Sequence, residues 1–138
     1  PLGIRSESAD QWLLRNVLAL QADGSLLCSG EIPEGASLQL MIGSKQLALD
    51  AAAAAAEQAI ESIAHPAFAL VFDSAMRLKL LGREQAALEV ARIRQVIGRE
   101  VPIAGCYTYG EQAPLADGGA ATTAVQTGSV LVLVLGAS

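Results

Sequence analysis

The sequence is short of the residues from which most chemistry is built. Of its 138 residues, one is histidine and two are cysteine. Cys28 and Cys106 lie far apart and neither belongs to a Cys-x-x-Cys spacing, so they cannot assemble a metal cage. One disulfide stays open as an alternative, but nothing implies it. Aromatic residues are 4% and charged residues 17% of the chain, and no basic cluster interrupts a formal charge of -5. That balance argues against a phosphate-tracking surface for nucleic acid and against an acidic membrane surface. Long apolar runs are missing as well. The strongest, Ala67 to Phe72 and Val130 to Leu135, have strand length, far below the ~18 residues that a bilayer span needs. No basic segment followed by an apolar one opens the chain, so no secretion signal is read there. The chain begins on Pro1, and the expectation is a fragment of a longer polypeptide with missing neighbours.

What the chain does have is apolar mass. Hydrophobic residues make up 52%, which excludes general disorder and favours a well-buried sheet. The length suits a single domain over 1–138. Trp12 to Leu20 and Ser25 to Gly30, parted by the turn signal Asp23-Gly24, read as a hairpin. Leu38, Leu40 and Ile42 alternate with Gln39 and Met41 as on a half-buried strand. Ser44 caps a helix expected over Lys45 to Ala64, with Leu49, Ala53, Ala56, Ile60 and Ile63 on one stripe. Its alanine run is explained by helix propensity and by close packing on a sheet. Pro66 ends that helix, and Ala67 to Phe72 is expected to be a central strand covered on both faces. Ser74 caps a short turn through Leu81. After Gly82, Ala86, Val90, Ile93 and Ile97 form a second helical stripe closed by Gly98. Val101 to Tyr109 returns to strand, Gln112 to Gly128 reads as a long loop, functional or mobile, and Val130 to Leu135 closes the chain as a buried strand. The expected class is α+β, a mixed and largely antiparallel sheet in β-β-β-α-β-α-β-β order with two main helices packed on it.

The most unusual string is Gly105-Cys106-Tyr107-Thr108-Tyr109-Gly110-Glu111. In a strand, Gly105, Tyr107 and Tyr109 share one face, while Cys106 and Thr108 take the other. Two phenols beside a side-chain-free gap make a small cup, and Gly110 lets the backbone turn so that Glu111 meets a ligand cation at the strand's carboxyl end. The plain alternative is a buried strand with two snorkelling tyrosines and a solvated glutamate. Arg77, just past the central strand, offers a planar fork to a carboxylate, as does Arg15 with Asn16 from the first strand. Their alternatives are a helix-surface ion pair and a solvent-facing strand residue. A cation, an anion and hydroxyls near strand ends suit a zwitterion such as an amino acid.

Catalytic readings fare worse. His65 sits before Pro66 at a helix terminus, where an imidazole meets terminal carbonyls. A nucleophilic Cys106 would need that His65 as its base, and no cation lies near it in sequence. Ser29 and Ser74 lack a G-x-S-x-G context, and the glycines form neither a G-x-G-x-x-G nor a Walker string. No catalytic residue, metal or cofactor is assigned.

Four strings in order, Leu14-Arg15-Asn16-Val17, Ser29-Gly30-Glu31-Ile32-Pro33-Glu34-Gly35, Val71-Phe72-Asp73-Ser74-Ala75-Met76-Arg77 and Pro102 to Glu111, together resemble the C-terminal domain of the FIST family (F-box and intracellular signal transduction proteins). The resemblance runs from about Trp12 to Leu135, and Tyr107-Thr108-Tyr109-Gly110-Glu111 is its most specific part. It implies a sensory, non-catalytic domain, paired with a FIST N-terminal domain and joined to signalling output modules, that binds small ligands such as amino acids. The chain departs from the family pattern at Ser74, Met76, Cys106 and Val125-Gln126-Thr127. The leading expectation is therefore a cytoplasmic ligand-sensing domain whose site is walled by Tyr107, Thr108, Tyr109, Glu111 and Arg77. The alternative is an interaction module whose exposed apolar sheet face docks the FIST N-terminal domain or forms a homodimer, with no pocket of its own.

Overall fold

The computed structural model describes residues 1–5, 12–114 and 123–137. Ten strands and two helices lie among the described residues: β1 (Leu2–Arg5), β2 (Trp12–Arg15), β3 (Val17–Leu20), β4 (Leu26–Cys28), β5 (Leu38–Leu40), α1 (Lys45–Ile60), β6 (Pro66–Ser74), α2 (Ala75–Ile97), β7 (Ile103–Thr108), β8 (Glu111–Pro114), β9 (Thr123–Gln126) and β10 (Val130–Gly136). The fold is α+β, as the sequence implies, and only the β6–β7 pair is parallel.

The centre is a three-stranded sheet in the order β10-β6-β7. Ala69, Val71, Ile103, Val132 and Val134 point from it toward α1 and α2, where Ala52, Ala56, Ile93 and Ile97 complete the core. Ala52 and Ala56 are fully buried, so the alanine run of α1 acts by allowing close approach. Burying side chains the size of Ile93 contributes about 2 kcal/mol each. Ser44 starts α1 by accepting a hydrogen bond from the Leu47 amide at 3.1 Å. A second cluster, Ala48, Leu49, Leu81 and Ala86, joins the two helices to each other.

Smaller sheets flank this centre: β2-β1-β5, the hairpin β3–β4 and the pair β8–β9. The Asp23-Gly24 turn behaves as read, with Gly24 at φ 86° and the Ser25 amide donating to Asp23 Oδ1 at 2.9 Å.

Four expectations need correction. Trp12 to Leu20 is two strands broken at Asn16, and β2 pairs with the unforeseen β1 while only β3 joins the hairpin. Helix α1 ends at Ile60 with Glu61 as its cap, short of Ala64, and its buried stripe runs through Ala48, Leu49, Ala52 and Ala56. The stretch read as a loop from Gln112 to Gly128 contributes β8 and β9; residues 115–122 lie outside the described residues. The density of glycine, proline and threonine hid the alternation that puts Ala113 inside. Finally, among the described residues only the helix-facing side of the central strand is fully covered. Phe72, Leu133 and Leu135, on the face away from the helices, are 36%, 50% and 49% exposed.

Candidate functional site

The carboxyl ends of the parallel pair β6 and β7 bring together the sheet's polar side chains, the position at which open sheets generally hold ligands. The register pairs Asp73 with Tyr107 and Ser74 with Thr108. Asp73 and Tyr107 therefore face the helices, and Ser74 and Thr108 face away. Ser74 caps α2, and its hydroxyl oxygen also accepts from the Gly128 amide at 3.0 Å, which ties the 127–129 turn to the strand end.

Arg77 lies one turn into α2 and is buried. Its Nε donates to Glu89 Oε1 at 3.1 Å and lies 3.1 Å from Asp73 Oδ1, while a terminal nitrogen donates to the Ala48 carbonyl at 2.7 Å and to Glu89. Residues 77 and 89 would be ~18 Å apart along a straight helix, too far for these side chains to meet. They meet because Gly82, at φ 74° and ψ 167°, interrupts α2. Only glycine adopts that backbone without strain.

Two carboxylates and one guanidinium leave this buried cluster one negative charge in excess. With both acids ionised, Asp73 Oδ1 and Glu89 Oε2 are buried acceptors without a hydrogen-bond donor. Burial, then hydrogen bonding and repulsion with Glu89, push the Asp73 carboxyl up to about 7, against the pull of Arg77. A proton on Asp73 neutralises the cluster and supplies the missing donor. Asp73 and Glu89 line a hollow of about 210 Å³ together with Val71, Ile93, Gly105 and Tyr107. Desolvation, followed by the negative charges of Asp73 and Glu89, raises the Tyr107 hydroxyl pKa.

This arrangement makes stability fall as pH rises. The Asp73 pKa is raised from 3.8 to about 7, so the folded state holds a proton that the unfolded chain has released across that window. The contribution of Asp73 to stability is greatest below the lower value, declines through the window and levels off above it. At about 1.36 kcal/mol per pH unit, the decline amounts to as much as about 4 kcal/mol. Asp73→Asn keeps the shape, donates permanently to Glu89 and removes the titration. Urea unfolding at pH 5 and pH 8 should show the parent losing stability and the variant holding it; parallel losses would refute the assignment.

The structure separates the residues that the sequence grouped as a site wall. Tyr107 stands at the hollow, 43% exposed, and Tyr109 is 93% exposed. Glu111 is buried, its two oxygens accepting from Thr108 Oγ1 at 2.5 Å and Ser129 Oγ at 2.8 Å. Arg77 is held by Asp73 and Glu89. The gap expected beside Gly105 is filled by backbone, since a Cβ there would lie 2.1 Å from the Val71 carbonyl oxygen. Arg15 is likewise buried, donating to the carbonyls of Glu31 at 2.9 Å, Leu14 at 2.9 Å and Val125 at 3.4 Å. Asn16 joins a closed polar ring: Thr127 Oγ1 donates to the Leu14 carbonyl at 2.7 Å, so at 3.0 Å Ser29 is its donor, and Ser29 accepts from the Asn16 amide at 2.8 Å.

The family model for the FIST C domain matches residues 1–114. The chain belongs to the FIST C domain family. In this FIST C domain the matched segment contains both helices, β1 to β8 and every residue of the Asp73–Arg77–Glu89 cluster. The family is one of signal transduction. No curated protein and no solved structure matches the chain.

Asp73 and Glu89 are the site residues that sequence reasoning missed. Glu89 lies three residues after Ala86 and four before Ile93, on the buried stripe itself. Val90, assigned to that stripe, is 44% exposed. An acid at a core-facing helical position was the available signal. The Cys106–His65 pairing is removed by register: Cys106 pairs with Phe72, six residues along β6 from Pro66, which places it ~20 Å from His65. Both cysteines are free, among the described residues no cluster of acids, histidines and cysteines is suited to a metal ion, and no helix is long and apolar enough to cross a membrane.

Proposed function

We propose that this FIST C domain is a non-catalytic, cytoplasmic small-ligand sensing module of a signal transduction protein. It forms one domain over 1–138 of a longer chain, next to a FIST N-terminal domain, and binds its ligand in the hollow at the ends of β6 and β7. The observation that carries this reading is a pair of buried carboxyl side chains, each with an oxygen that lacks a donor, on the wall of a largely apolar recess that also carries Arg94 and an accessible phenol. Such a recess, apolar with a few convergent polar groups, is the usual form of a small-molecule site. Tyr107 contacts the ligand directly. Arg77, Thr108 and Glu111 fix the strand ends around it, Tyr109 lies beyond the rim, and an amino acid is among the molecules to test. The check is an NMR screen of small amines, acids and amino acids against the protein. Hits should shift resonances of Ile103 to Tyr107 and of Glu89, and Tyr107→Ala should weaken them at least tenfold with the fold intact. A screen in which nothing shifts those resonances defeats the proposal.

A second reading has its own support. The sheet face carrying Phe72, Leu133 and Leu135 and the hairpin residues Leu18 and Leu20, 55% and 71% exposed, form apolar surface suited to a partner domain or a second copy. Sedimentation across a concentration series tests it, and a strictly monomeric, highly soluble protein counts against it.

A further inference from the structure

We infer that the hollow at Asp73, Glu89 and Tyr107 is selective for a small primary ammonium ion with a short apolar body, an inference that rests on reading this hollow as the ligand site. An ammonium group carries three donors and one positive charge. Two side chains of the hollow's wall, each more than nine-tenths buried, carry acceptors without a hydrogen-bond donor: Glu89 Oε2, and Asp73 Oδ1, whose contact with Arg77 Nε at 3.1 Å is an ion pair. The buried cluster behind the hollow also holds one uncompensated negative charge, because Asp73 and Glu89 share the single guanidinium of Arg77, while Arg94 on the hollow's wall is turned to the Arg99 carbonyl. An ammonium in the hollow, displacing the proton that Asp73 and Glu89 share and drawing their oxygens toward it, satisfies both deficits at once. Tyr107 at the rim presents an aromatic ring, which attracts a cation at its face. Val71, Ile93 and Ile103 supply apolar walls for a short carbon chain. At roughly 30 Å³ per water, 210 Å³ is the space of about seven waters, which sets the ligand's size class.

A carboxylate on the same carbon as the ammonium is disfavoured here. It would lie against Asp73 and Glu89, with Glu111 also adding negative potential at Asp73. Arg77 does not line the hollow, its Nε and one terminal nitrogen being turned to Glu89 and Ala48. Arg94, whose side chain reaches the Arg99 carbonyl at 3.5 Å, is the cation lining the hollow through which an amino acid would have to be held.

Three isosteres separate these cases: 3-methylbutylammonium, leucine, which adds the carboxylate, and 3-methylbutan-1-ol, which removes the charge. Calorimetric and NMR titrations of the protein at pH 8 should show the amine binding at least tenfold more tightly than the other two. At pH 5 its affinity should fall about a hundredfold, as competition with a proton of pKa about 7 requires. At pH 6, heats in buffers of different ionisation enthalpy should report nearly one proton released per amine bound. Glu89→Gln should abolish amine binding, and the proton count, read on the unaltered protein, stands if that variant does not fold. Leucine or the alcohol binding as tightly as the amine, or an amine affinity that is flat between pH 5 and pH 8, overturns the inference while leaving the hollow a ligand site. Titrants that never shift Ile103 to Tyr107 overturn it as well. The sensing reading then falls only if the broader screen also leaves those resonances unmoved.

Discussion

Gly105→Ala is expected to cost about 3 kcal/mol or more and to lower the melting temperature by roughly 10 °C. The new methyl carbon would sit 2.1 Å from the Val71 carbonyl oxygen and 3.0 Å from its carbon. Overpacked cores usually recover by rotating a side chain, but here the obstacle is the backbone of β6. That strand is paired on both sides, Val71 lying between Gly105 and Val132, so neither neighbour can retreat without breaking a ladder. Against a total stability of about 5–15 kcal/mol the loss is large. Gly43→Ala is the control: its nearest neighbour is 3.8 Å away, and the change should stay within about 0.5 kcal/mol. Thermal and urea unfolding of both variants decide the matter. A Gly105→Ala protein that melts like its parent yet has lost ligand binding would instead mean that the glycine keeps room for a ligand.

Much of the fold was legible because its signals are local. The Ser44 cap, the interruption at Gly82 and the terminating Gly98 each act within a few residues and appear where the sequence places them, although helix already begins at Ala75 where a short turn was expected. The alternation from Leu38 to Ile42 gives only the short β5, with Leu38, Leu40 and Ile42 exposed rather than half-buried. What stayed hidden depends on distant partners. No pattern in Leu2 to Arg5 announces that it lies between β2 and β5, and β8 pairs with β9 at a distance in sequence. The candidate site shows the same division. Tyr107 was found because its string is unusual, whereas Arg77 was assigned a free guanidinium because Glu89 is twelve residues away and reaches it only through the bend at Gly82. The strings that carry the family likeness prove to be largely stitching. Arg15, Asn16 and Ser29 close the turns around Thr127, and Thr108 with Ser129 holds Glu111. Their polarity serves buried backbone and side-chain groups, so polar residue type alone could not tell ligand contacts from structural ones.

Arg77→Met should destabilise the protein by about 3–5 kcal/mol at pH 8, because it leaves Asp73 and Glu89 buried with no cation between them. The sign of the pH dependence follows from the acids. Asp73 already takes its proton well above 3.8, and loss of Arg77, the one influence lowering its pKa, raises it further. The folded variant therefore holds protons that the unfolded chain releases over a wider window, and its deficit relative to the parent grows as pH rises from 5 to 8. Urea unfolding at the two pH values measures it. A deficit equal at both would place the damage in lost packing of the arginine stem instead of in unpaired charge. The double variant Arg77→Met, Glu89→Leu separates these terms again. Replacing the buried pair by apolar side chains removes the orphaned charge, so the double variant should be more stable at pH 8 than Arg77→Met alone, with a coupling of at least about 1 kcal/mol. If the two changes simply add, the ion pair is not what holds the bent helix to the strand ends, and the charge imbalance on which ammonium selectivity depends is absent with it.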